Sequence, residues 1–117
     1  MKLDFQDRDG TRIVTVLEPR IDAAIATQFK EAVRHSALPE TSRVLLDMTH
    51  VEFLDSSGLG AIVAAMKLLG PSRTLELSAL QPNVERVFRL TKMDSVFVLH
   101  DSAEDAFAGS ARLADAG

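Results

Sequence analysis

The chain has 117 residues, no cysteine, a net charge of −4 and 46% hydrophobic residues. That length and apolar content suit one α/β-sized domain with a real core, expected over residues 1–117 with a small-residue tail after about residue 112. The missing cysteines exclude disulfides, thiol catalysis and cysteine metal sites. No apolar run approaches the ~18 residues that a membrane span needs, and without a Lys/Arg cluster direct nucleic-acid binding is disfavoured.

Met1-Lys2-Leu3-Asp4-Phe5-Gln6 lacks the apolar core of a secretory signal, so a cytoplasmic protein is expected. Leu3-Asp4-Phe5 alternates as a strand should, and Asp7-Arg8-Asp9-Gly10 ends in a strong turn signal. Ile13-Val14-Thr15-Val16-Leu17 is a second strand, ended by Pro19. Asp22 caps a predicted helix whose apolar face is Ile25, Phe29, Ala32 and Val33, and Pro39 closes the loop after it. Residues 44–48 read as a central, buried strand.

A second helix is expected from about Ser56 to Leu69, with Gly70-Pro71 as its stop. Leu75-Glu76-Leu77-Ser78 alternates as a strand, and Val84, Val87, Phe88 and Thr91 mark a short helix after Pro82. Val96-Phe97-Val98-Leu99 is the last strand. Ser102 with Asp105 forms a capping-box pattern for a final helix that turns Ala106 and Phe107 inward. The expected order is β-β-α-β-α-β-α-β-α, about four helices on a mixed, mostly parallel sheet with right-handed crossovers.

Asp55-Ser56-Ser57-Gly58-Leu59-Gly60 opens the second helix. It sets two hydroxyls beside a carboxylate where backbone N–H groups lack helical partners and carry partial positive charge. A phosphate is well accommodated at such a point, so charge can be added and removed there. Along the helix, Leu59, Ile62, Val63, Met66 and Leu69 form a stripe that suits the core. The other side holds Ser57, Gly60, Ala61, Ala64 and Leu68, with Lys67 at its margin. That face is nearly uncharged and its small residues permit close approach of another backbone. It is open to two readings: a partner docks there, near the Arg20 to Asp22 loop, or the third helix or a loop covers it.

The segment Leu46-Asp47-Met48-Thr49-His50-Val51-Glu52-Phe53-Leu54-Asp55-Ser56-Ser57-Gly58-Leu59-Gly60 resembles the signature of STAS domains, and most of all that of bacterial anti-sigma factor antagonists. The resemblance covers nearly the whole chain: Pro19-Arg20-Ile21-Asp22-Ala23 is similar to the family's strand-to-helix junction. Leu90-Thr91-Lys92-Met93-Asp94 with Phe97, and residues 101–106, are similar to its late segments. The resemblance implies a STAS fold and a protein-binding module rather than an enzyme. Its implied partner is an anti-sigma factor that is also a serine kinase, held while the module is unphosphorylated so that a sigma factor is free. Phosphorylation releases that partner and a cognate phosphatase resets the module. The implied acceptor is Ser57, before the glycine, with Asp55, Ser56 and Gly58 as the rest of the switch loop. No cofactor or metal is implied.

Other classes fare worse on the residues. A hydrolase nucleophile would want Gly-x-Ser-x-Gly, and no histidine or lysine in the motif activates Ser57. A nucleotide loop would want Gly-Lys-Ser/Thr, which is missing. His35, His50 and His100 lack paired-ligand spacing for a metal. The main alternative is an unphosphorylated STAS scaffold in a larger complex, such as a transporter or stress-signalling assembly, which would use the same helix face. Weak homodimerisation through that face is left open.

Overall fold

The computed structural model describes residues 1–36 and 41–107. Strands β1 (Leu3–Arg8) and β2 (Thr11–Val16) pair antiparallel. Asp9 and Gly10 between them have φ of 51° and 77°, a two-residue turn whose twist matches that of the strands. The first strand therefore runs past the expected residue 5, and the turn tightens to Asp9-Gly10. Strands β4 (Arg43–Asp47), β6 (Thr74–Ser78) and β7 (Val98–His100) add in parallel, giving the order β1-β2-β4-β6-β7. The mixed, mostly parallel sheet matches the expectation, and β4 lies at its centre.

The front of the sheet presents Val14, Val16, Val44, Leu46, Leu75 and Leu77 to three helices. These are α1 (Ala26–Ser36), α2 (Ser56–Leu69) and α3 (Pro82–Leu90), which bury Phe29, Val33, Ile62, Ala65, Leu69, Val84 and Phe88 against it. The back is thinner. Ile13 and Leu45 are covered there by Ala106 of the short helix α4 (Ala103–Phe107). Ser102 Oγ accepts the Asp105 N–H at 3.1 Å, so the expected cap forms. At the far end of α2, Gly70 takes a φ of 82° that closes the helix before Pro71.

Two further boundaries differ from the sequence reading, and two short strands are new. Helix α1 begins at Ala26 rather than at Asp22. The Asp22 carboxylate accepts the Ala24 N–H and its carbonyl the Ile25 N–H, both at 3.1 Å, which makes a turn of residues 22–25. The last strand begins at Val98 rather than Val96. Lys92 has a left-handed φ of 64° and a 3₁₀ turn spans Met93–Ser95, so Phe97 turns into the core and meets Phe88 edge-on at 5.9 Å. Two short strands, β3 (Arg20–Ile21) and β5 (Phe53–Leu54), pair in parallel outside the main sheet; two residues are too few to show alternation. The loop at Pro39 and the tail after residue 112 lie outside the described residues.

Candidate functional site

Asp55 is the N-cap of α2, with an extended backbone and its Oδ1 accepting the Gly58 N–H at 2.8 Å. One orphan donor of the first turn is thus satisfied by the carboxylate. Ser56 and Ser57 follow as the first two helical residues, and both are exposed. A group attached to either hydroxyl would sit in the positive field of the helix start.

Gly58 explains how this turn is held. A Cβ at position 58 would lie 2.0 Å from the Ile21 carbonyl oxygen and 2.8 Å from Leu54 Cδ1. Only glycine lets α2 start so close to the β3–β5 pair. That pair brings the Arg20 to Asp22 loop beside the first turn of α2, with Arg20 matched to Phe53 and Ile21 to Leu54. Arg20 Nε donates to Asp22 Oδ2 at 3.3 Å, and its guanidinium carbon lies 4.7 Å from the centroid of the exposed Phe53 ring. The structure therefore gathers Arg20, Asp22, Asp55, Ser56, Ser57 and Gly58 at one end of the domain.

The proposed docking face of α2 is divided. Helix α1 packs beside α2 and leaves a groove of about 220 Å³ lined by Ala26, Thr27 and Lys30 on one side and Ser57, Gly60, Ala61 and Ala64 on the other. Gly60 is exposed and a Cβ there would meet nothing within 4 Å. Ala61, however, is buried in the main core, and Ala64 is half-buried. The neighbour that partly covers this face is α1, not the third helix. Leu68 is exposed but lies outside the groove. On the core side, Ile62 and Leu69 are fully buried while Leu59, Val63 and Met66 pack at its margin.

The sequence reading missed a polar cluster on the back of the sheet. Glu76 is buried, and its carboxylate takes four hydrogen bonds. Arg43 donates from Nε to Oε2 and from Nη2 to Oε1, both at 2.7 Å, Thr74 Oγ1 donates to Oε2 at 3.0 Å, and His100 Nε2 lies 2.8 Å from Oε1. An ionised carboxylate only accepts, so Nε2 carries the proton in that contact. Burial alone would push this carboxyl up. The hydrogen bonds from Arg43, His100 and Thr74 and the charge on Arg43 outweigh it and bring the pKa from 4.5 to about 2. Arg43 Nη2 also donates to the Ala106 carbonyl at 3.1 Å, tying α4 to the sheet. The cluster lies on the face of the sheet opposite α2. Arg43 and Glu76 alternate with the front-facing Val44, Leu75 and Leu77, so strand periodicity marks them as outward and gives no sign of their burial.

A small α/β domain that displays two hydroxyls at a tightly packed helix start, beside a shallow groove, is built as an interaction module. The chain belongs to the STAS domain family, whose match spans residues 2–106. It is 30% identical over 97 residues to an anti-sigma-B factor antagonist of Listeria monocytogenes, covering 82% of this chain and 85% of that one. An anti-sigma factor antagonist from Mycobacterium paratuberculosis, known from a crystal structure, superposes with a TM-score of 0.81 at 28% identity, covering 92% of each chain. A murine solute carrier 26 anion transporter has a TM-score of 0.78 at 19% identity over 92% of this chain but only 18% of its own. That last likeness shows the fold alone.

Proposed function

We propose that this chain is an anti-sigma factor antagonist controlled by phosphorylation of Ser57. In its unmodified form it holds an anti-sigma factor with serine kinase activity and so frees a sigma factor. The kinase then forms a bond from Ser57 Oγ to the γ-phosphorus of a nucleoside triphosphate. The bond to the leaving diphosphate breaks, and the hydroxyl proton goes to the kinase's base. A phosphatase reverses the modification. The chain supplies the acceptor and the docking surface, not the catalysis, and acts in the cytoplasm. One observation carries this reading: Ser57 is exposed on the first turn of α2 and lines the α1–α2 groove, in a chain whose relatives are antagonists of anti-sigma factors. The hydroxyl before Gly58 favours the switch over a permanent scaffold.

The test compares two substitutions. Ser57→Ala removes a hydroxyl and keeps the surface, so it is expected to hold the partner persistently and to resist release by the kinase. Ser57→Asp adds a charge. Near a helix start that is worth ~0.3–1 kcal/mol in favour of the fold, whereas burying it unpaired in an interface costs on the order of a few kcal/mol. The variant should therefore melt near wild type and bind at least ~100-fold more weakly in a titration. Tight binding by Ser57→Asp, or kinase labelling of Ser56 in mass spectrometry of the Ser56-Ser57 peptide, overturns the assignment.

A further inference from the structure

We propose that Lys30 is the internal counter-charge for a phosphoryl group on Ser57, drawing it into the groove between α1 and α2. This rests on the reading of Ser57 as the modified residue and adds the group that receives the modification.

Lys30 is half-buried and lines the same groove as Ser57, across from it on α1. It is the one charged residue of that lining, and no carboxylate stands there to neutralise it. Its neighbour Glu31 is engaged by Arg34 at 2.8 Å, and Asp55 is turned onto the Gly58 N–H. Among the described residues Lys30 makes no ion pair, and the one carboxylate that feels its charge, Glu31, is held by Arg34. The remaining lining is Ala26, Thr27, Gly60, Ala61 and Ala64, all of them small residues. Open space at Gly60 and about 220 Å³ of groove leave room for a phosphoryl group.

The chemistry is complementary. The phosphoryl oxygens are strong acceptors. Lys30 offers three donors, Thr27 a hydroxyl, and the first turn of α2 its free N–H groups. A phosphoserine brings about −1.5 to −2 charges. The groove would pass from a net charge of +1, from Lys30, to about −1, so a partner surface that accepted the unmodified groove meets a filled one of opposite sign. Release would follow from occupation of the groove by the chain's own side chain.

The experiment uses the full chain with phosphoserine encoded directly at position 57, so that no kinase is needed. The phosphate is titrated by ³¹P NMR. A nearby ammonium favours the dianion, so the midpoint in the wild-type background should lie at least ~0.5 pH unit below that in Lys30→Met. Methionine keeps the apolar stem in place. Lys30→Arg should restore the low midpoint, and Lys67→Met should leave it unchanged. Circular dichroism checks that each variant is folded. Equal midpoints in the wild-type and Lys30→Met backgrounds overturn the assignment of Lys30. Failure of a kinase to label Ser57 would count against the functional reading and leave this titration unaffected.

Discussion

Gly58 and Gly60 stand two residues apart in one helix and answer to different constraints. At position 58 an added Cβ would press within 2.0 Å of the Ile21 carbonyl, so Gly58→Ala must push α2 away from β3. Overpacking against backbone of this kind should cost about 3 kcal/mol. At position 60 nothing lies within 4 Å, and Gly60→Ala should gain ~0.5–1 kcal/mol by relieving the entropy of a helical glycine. Urea melts of the two variants should therefore move in opposite directions from wild type. A Gly58→Ala variant as stable as wild type would show that the β3–β5 pair is easily displaced. Asp55→Ala should cost ~1 kcal/mol through loss of the cap, with the exposed hydroxyls of Ser56 and Ser57 untouched.

On the back of the sheet, α4 combines a small apolar contact through Ala106 with charged and aromatic side chains. Arg8 lies with its guanidinium carbon 4.2 Å from the Phe107 ring centroid and pairs with Glu104 at 3.2 Å, while Arg43 reaches from Glu76 to the Ala106 carbonyl. The exposed Arg8–Glu104 pair contributes little by itself. Breaking the Glu76 cluster costs more, because removing one partner leaves a buried or partly buried group without its counter-charge. Its pH dependence has a definite sign. The folded-state pKa of Glu76, about 2, lies below its ordinary value of 4.5, so the folded state favours the ionised carboxylate. That stability is fully present above about pH 4.5 and is lost as pH falls towards 2. Glu76→Gln should lose on the order of 3 kcal/mol at neutral pH. It should also flatten the decline of stability as pH falls from about 4.5 towards 2, the window of this carboxyl. Denaturation series at several pH values check both; a wild-type slope retained in the variant would assign the acid sensitivity to other carboxylates.

At the scale of the molecule, the sheet separates two tasks. Its front packs three helices and offers the proposed switch turn and the groove, whereas its back carries the buried ion cluster. Substitutions on one side should be read out separately from those on the other. Ala64→Glu places a carboxylate at the rim of the groove on a half-buried position. It should weaken partner binding at least ~10-fold, since an interface must then desolvate a charge. Its circular dichroism should stay native. Unchanged affinity would mean that the partner docks elsewhere, for example on the exposed Arg20–Phe53 ribbon alone.

Much of this molecule could be read from local pattern. The turn at Asp9-Gly10, the cap at Asp55, the stop at Gly70 and the buried strand β4 each depend on residues within a few positions of one another. Dihedral preference and side-chain-to-backbone hydrogen bonding act over that range. The motif from Asp55 to Gly60 belongs with them. The burial of Ala61 does not, because it depends on where α1, some thirty residues away, crosses α2. Nor does the reason for Gly58, whose neighbour is a carbonyl oxygen of β3. Arg43, Glu76 and His100 meet only through the register of three parallel strands, in which Leu45 pairs with Glu76 and Ser78 with His100. Local chemistry thus determined most of the elements and the motif that marks the candidate switch. The tertiary structure alone decided which faces close, which charges are paired, and that Lys30 and Ser57 line one groove, because those outcomes depend on packing between segments distant in the chain.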